Sequence, residues 1–124
     1  MTQELMRALQ QIVQAKGPIQ YEHGTGEFKF QSHPDYPIRE QAHTTDLAYM
    51  WKPEDAAMLI HALKLDIRAR ACTVDSYEYK SGLIEVTITS PEPFKAQMHS
   101  VTEMHKDEGT AHALAWLSAF GGKE

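Results

Sequence analysis

Three of the seven histidines fall in one short stretch of the chain, at His99, His105 and His112. The same stretch carries several carboxylates, and neutral imidazole and carboxylate are groups that hold transition metals. A metal-dependent hydrolase would place its metal on these three histidines. Gly109 is expected to begin a new helix, which would separate His105 from His112. The simpler alternative is that the histidines occupy turns and helix ends.

Other catalytic arrangements have less support in the sequence. The only cysteine, Cys72, lies between small residues in a predicted strand, where a buried thiol is usually inert. Acidic pairs at 54–55 and 107–108 stand at predicted helix starts, where the helix dipole explains them. No GxGxxG, GxxxxGK[ST], GxSxG or HExxH motif is present. The sequence therefore favours a protein that is not an enzyme and that uses no cofactor.

Aromatic residues form the second candidate site. Tyr and Trp are favoured anchors of protein interfaces and of base-stacking sites. The chain has two groups of them, one on a predicted strand just before a turn and one in or beside a proline-containing segment. The candidate anchors are Tyr36, Tyr49, Trp51, Tyr77 and Tyr79. We expect a contact surface formed by residues 32–51 together with 75–82. The alternative is that these rings close the core between sheet and helices.

Amphipathic periodicity predicts three helices that would position these residues. The first covers residues 2–16, with Thr2 as its cap and a stop at Gly17 and Pro18. Pro53 is expected to begin the second helix, over 53–64. The third begins near 107–110 and ends at Gly121.

Alternation of apolar and polar residues predicts the strands. The predicted strands cover 19–22, 27–31, 66–74, 83–89 and 94–101. Pro34 and Pro37 predict a loop over 32–43, since proline interrupts a central strand. The element order predicts one α+β domain over residues 1–124, with an antiparallel or mixed sheet of about 4–6 strands packed by N-terminal, central and C-terminal helices.

Composition narrows the classes of function. The chain has 124 residues, of which 42% are hydrophobic and 23% charged, as in ordinary globular domains. Seventeen acidic residues against twelve Lys and Arg give a net charge of −5, which makes a nucleic-acid partner unfavourable. No apolar run reaches the roughly 20 residues of a membrane span, and no secretory signal is visible. A cytoplasmic protein without membrane contact is expected.

Two stretches resemble small phage and prophage proteins of the alpha-beta-alpha sandwich type. The first is Thr44-Thr45-Asp46-Leu47-Ala48, which precedes an amphipathic helix. The second runs from Asp107 to Leu117 and forms an alanine-rich helix after a short acidic stretch. The resemblance implies a phage accessory protein with a sheet between helices, acting in the host-cell cytoplasm. It brings no catalytic residue with it.

Two classes of function follow from these observations. The first is a non-enzymatic binding protein with a protein partner, such as a phage-encoded inhibitor of a host or anti-phage defence protein. An immunity protein that neutralises a toxin fits this class equally well, and a homodimer is one option for the assembly. The second is a small-ligand protein, either nucleotide-sequestering or a metal-dependent hydrolase that uses the 99–112 region.

Overall fold

The computed structural model describes residues 2–22, 27–31, 33–39, 53–94 and 97–121. Its helices are α1 (Gln3–Gln14), α2 (Pro53–Ala69) and α3 (Glu108–Phe120). Its strands are β1 (Ile19–Glu22), β2 (Glu27–Phe30), β3 (His33–Arg39), β4 (Thr73–Glu78), β5 (Ile84–Thr89) and β6 (Ser100–His105). The predicted α+β class, with N-terminal, central and C-terminal helices, is confirmed.

The strands form two antiparallel three-stranded sheets instead of the single sheet expected from the sequence. The first sheet has the order β1-β2-β3, and the second has the order β4-β5-β6. Within the described ranges, no strand pairing joins one sheet to the other. The two sheets are held together through the helices, since α1 packs on β1 and α3 packs on β5 and β6.

Helix α3 lies at the centre of the fold, where it contacts both other helices as well as β5 and β6. Eight of its 13 residues are buried. They are Gly109, Thr110, Ala111, His112, Ala113, Ala115, Trp116 and Ala119. The small side chains among them allow neighbouring elements to approach closely on several sides. A helix that is buried around most of its circumference is a core helix and not a surface helix.

Trp116 is the largest fully buried side chain of the described residues. Its indole N–H donates to Oδ2 of Asp66 in α2, at 2.7 Å. The same oxygen accepts from Nε of Arg70 at 2.8 Å, and the Arg70 guanidinium lies 4.6 Å from the centre of the Phe120 ring. On the α1 side, a Cβ added to Gly17 would lie 2.7 Å from the indole ring. Trp116 therefore fixes α3 against both α1 and α2.

The prediction of a loop over 32–43 is wrong for residues 33–39, which form β3. Strand β3 pairs antiparallel with β2, and the register shifts between Lys29 and Phe30. Pro34 and Pro37 are compatible with a strand because, among the described residues, β3 is at the edge of its sheet, where proline is tolerated. Residues 40–43 lie outside the described residues.

The predicted end of the second helix and the predicted strand over 66–74 are both wrong. Helix α2 continues past residue 64 to Ala69, and β4 begins only at Thr73. Ile67 is buried on the helix. Cys72, expected in the middle of a strand, is buried in the turn between α2 and β4. The strand predicted over 94–101 is also displaced, since β6 runs from Ser100 to His105.

The end of α2 is a Schellman motif without glycine. The Cys72 N–H donates to the Ile67 carbonyl at 3.1 Å, and the Ala71 N–H donates to the Arg68 carbonyl at 3.0 Å. These two bonds define the motif. Ala71 occupies its left-handed position with φ 63°. Glycine normally fills that position, so the sequence carries no glycine to mark where α2 ends.

Replacing Ala71 with glycine should raise the free energy of unfolding by about 0.5–1 kcal/mol, because glycine adopts positive φ without a Cβ clash. Chemical denaturation measures the change. The matched control is Ala69→Gly, which should instead cost up to about 1 kcal/mol, since Ala69 has helical geometry. Destabilisation by both substitutions to the same extent would contradict the left-handed conformation at Ala71.

Candidate protein-binding surface

The second sheet has one buried face and one open face. Val86 and Ile88 of β5 are fully buried on the inner face, on the side of α3. The strand register places nine residues of the opposite face in three rows across the sheet. The rows are Thr73, Thr89 and Ser100; Asp75, Thr87 and Thr102; Tyr77, Glu85 and Met104. All nine are exposed or half-buried. These nine residues are referred to as the outer face.

Hydroxyl groups and negative charge dominate the outer face. Five of its residues are Ser or Thr, and the hydroxyls of Thr87 and Thr102 share a hydrogen bond of 3.0 Å between neighbouring strands. Asp75 and Glu85 carry negative charge, and none of the nine residues is Lys or Arg. The outer face therefore combines neutral hydrogen-bonding groups with a negative potential.

Tyr77 and Tyr79 lie side by side at one end of the outer face, as the sequence spacing predicts. Tyr77 is 61% exposed, and its ring packs edge-to-face against Tyr79 with the ring centres 4.9 Å apart. The Tyr79 hydroxyl donates to Oε1 of Glu85 at 2.9 Å. This hydrogen bond, with smaller contributions from desolvation and from the charge of Glu85, raises the pKa of Tyr79 above its ordinary value. Tyr79 is therefore a fixed donor whose ring packs against the exposed Tyr77 ring.

Met104 is a member of the outer face that the sequence interpretation missed. It lies opposite Glu85 in the row of Tyr77 and is 44% exposed. The signal was present, because Ser100, Thr102 and Met104 alternate onto one face of β6. The strand predicted from the sequence ends at residue 101 and so does not include Met104.

The remaining predicted anchors are not joined to the outer face by the described structure. Tyr36 lies in β3, at the edge of the first sheet. Tyr49 and Trp51 lie outside the described residues. The combined surface of 32–51 and 75–82 therefore stays a prediction.

The three histidines of the metal hypothesis have separate partners. His99 Nδ1 lies 3.2 Å from a backbone carbonyl oxygen. His105 Nε2 lies 2.7 Å from Glu4 Oε1 of α1, and its Nδ1 accepts the Asp107 N–H at 2.9 Å. His112 is fully buried in α3. Among the residues that the structure describes, no three His, Cys, Asp or Glu side chains are grouped so as to hold a metal ion.

His112 is held in the neutral form by its surroundings. Its Nδ1 donates to the Glu108 carbonyl oxygen at 2.8 Å, because a carbonyl can only accept. Its Nε2 is buried and has no hydrogen-bond partner among the described residues. Burial lowers the pKa of His112, and the positive charge of Lys64 lowers it further, against the opposing effect of Glu108.

Protonation of His112 should therefore destabilise the fold. The unfolded chain binds a proton near pH 6.5 and the folded chain only at lower pH, so stability is complete above pH 6.5. It then falls as the pH drops towards the folded-state pKa, by up to about 1.4 kcal/mol per pH unit. Denaturation midpoints of His112→Asn, which keeps a donor near Nδ1, should show a flatter pH dependence than wild type. A wild-type slope in His112→Asn would contradict the assignment.

No family model, curated protein or solved structure matches this chain. Among the described residues, no helix has both the length and the apolar character needed to cross a membrane. The resemblance to phage and prophage proteins stays a prediction. The choice of candidate site therefore depends on the geometry, which favours the outer face of the second sheet.

Proposed function

We propose that this protein is a non-enzymatic binding module that engages a protein partner through the outer face of its second sheet. The observation that carries the proposal is the exposed Tyr77 ring, packed against Tyr79, whose hydroxyl is fixed by Glu85. Tyrosine is enriched among the residues that dominate binding energy at protein interfaces. A ring that is already ordered loses less side-chain entropy on binding than a free one.

The arrangement of the outer face also supports a protein partner. Tyr77 and Met104 offer apolar contact in the row at one end of the outer face, and the Ser and Thr hydroxyls of the other two rows offer hydrogen bonds beside it. Protein interfaces combine apolar contacts with direct hydrogen bonds. Three strands of six residues cover a flat area of about 300 Å², whereas each side of a standard interface buries about 800 Å². The partner must therefore also contact segments that border the outer face.

Charge indicates what kind of partner fits. Asp75 and Glu85 lie on the outer face without a Lys or Arg beside them in the rows. Such a surface attracts a partner with exposed basic groups and repels the phosphates of a nucleic acid. An inhibitor of a host or anti-phage defence protein, or an immunity protein, would use this chemistry. A metal-dependent hydrolase is not proposed as a second candidate, because the described histidines do not converge on one site.

Loss of the exposed anchors should weaken partner capture without unfolding the protein. Tyr77→Ser and Met104→Ser each remove an exposed contact and should weaken binding at least about tenfold, as expected for interface anchors. The partner is captured from host-cell extract on tagged wild-type protein and identified by mass spectrometry. Dissociation constants are then measured with the purified partner.

The matched control for these variants is Leu65→Ser. Leu65 is a 39% exposed apolar residue of α2, so its loss changes a surface of similar character away from the outer face. Capture should survive this substitution, and thermal unfolding should show that all three variants fold. Equal loss of capture in the control, or unchanged capture in both outer-face variants, would overturn the proposal.

A further inference from the structure

Within the described residues β4 pairs only with β5, and the register shows which of its backbone groups point away from β5. The Tyr79 N–H donates to the Leu83 carbonyl at 2.8 Å, at the end of the β4–β5 ladder. In an antiparallel pair, alternate residues bond to the neighbouring strand. Thr73, Asp75 and Tyr77 therefore bond to β5. The N–H and C=O groups of the intervening residues, Val74, Ser76 and Glu78, point towards the open edge.

Within the described residues, this edge carries charge on Asp75 and Glu78 but lacks the other common protections against pairing. Five of the six β4 residues are exposed, and the strand contains neither proline nor lysine. Within the described residues, no strand pairs with β4 on the side away from β5. Exposed edges with free backbone groups are templates for adding another strand, and proteins commonly shield them with proline, lysine or a cover.

We propose that two copies of this chain pair through β4, antiparallel about a two-fold axis at Ser76, to form one continuous six-stranded sheet. A two-fold axis normal to the sheet keeps each face on its own side. It lies between the two β4 strands and places one residue of β4 opposite the same residue of the partner. An axis at Ser76 uses the open backbone groups on both strands, which supply six N–H···O=C bonds across the axis.

Charge selects this register over its neighbours. With the axis at Asp75, two carboxylates would face each other directly, which is destabilising. With the axis at Ser76, Asp75 lies opposite the partner's Tyr77, and Val74 lies opposite the partner's Glu78. No like charges oppose each other, and the pairing extends from Val74 to Glu78. With the axis at Tyr77, only residues 76–78 would pair within β4, which is shorter than the 74–78 pairing about Ser76.

The dimer would also change the outer face. The axis leaves both outer faces on the same side of the six-stranded sheet, so their area is doubled. This inference goes beyond the proposed function and does not depend on it, because dimer formation is measured on the isolated chain without any partner. Monomeric protein could still capture a partner, and a dimer could fail to do so.

The oligomeric state in solution tests the proposal. Light scattering after size-exclusion chromatography should give wild type a mass of twice the 14.0 kDa chain. Ser76→Pro should give a folded monomer, because it removes only an outward N–H and proline is tolerated at sheet edges. Ser76→Ala, which keeps the backbone N–H, should remain dimeric. Circular dichroism confirms that each variant is folded.

A second variant decides the question if Ser76→Pro fails to fold. Ser76→Lys places two positive charges across the axis and should also give a monomer by repulsion. The proposal is overturned if wild type is monomeric at the highest concentration reached. It is equally overturned if folded Ser76→Pro or Ser76→Lys remains a dimer of wild-type mass.

Discussion

The burial of Trp116 with its hydrogen bond intact is the constraint on which the rest of the structure depends. The ring is fully buried, and its N–H reaches Asp66 at 2.7 Å. A buried donor without a partner would cost about 1–3 kcal/mol. Helix α2 must therefore extend far enough to present Asp66, and Gly17 must leave room for the ring, since an added Cβ would lie 2.7 Å from it. With α1 and α2 fixed around α3, the second sheet covers the remaining side of α3 with its inner face.

The starts of the helices, and α1 and α3 as a whole, are predictable from the sequence because their signals are local. The Thr2 side chain accepts the Leu5 N–H at 3.1 Å, and the Asp107 side chain accepts the Thr110 N–H at 2.9 Å. The end of α2 was not predictable, because Ala71 takes a left-handed conformation that glycine usually marks. Whether Pro34 and Pro37 can lie in a strand depends on β3 being an edge strand. That is a property of the sheet and cannot be read from the segment alone.

The candidate site shows the same division between local and long-range information. Tyr77 and Tyr79 were identified because residues two apart on a strand share a face. The hydrogen bond from Tyr79 to Glu85 depends on the pairing of β4 with β5, and the place of Met104 depends on the bounds of β6. The metal hypothesis failed to find support for a related reason. The histidines are close in sequence but not in space. His105 bonds to Glu4 of α1, and His112 is buried in α3.

The central claim is that the core forms around α3 and leaves the outer face of the second sheet open. Hydroxyl-radical footprinting of the free protein tests this claim most directly, because oxidation of a side chain follows its contact with water. The structure predicts fast oxidation of Tyr77 and Met104, comparable to that of the 51% exposed Met98, and protection of Trp116. If Tyr77 and Met104 are protected as strongly as Trp116, the outer face is covered in the free protein and the account is wrong.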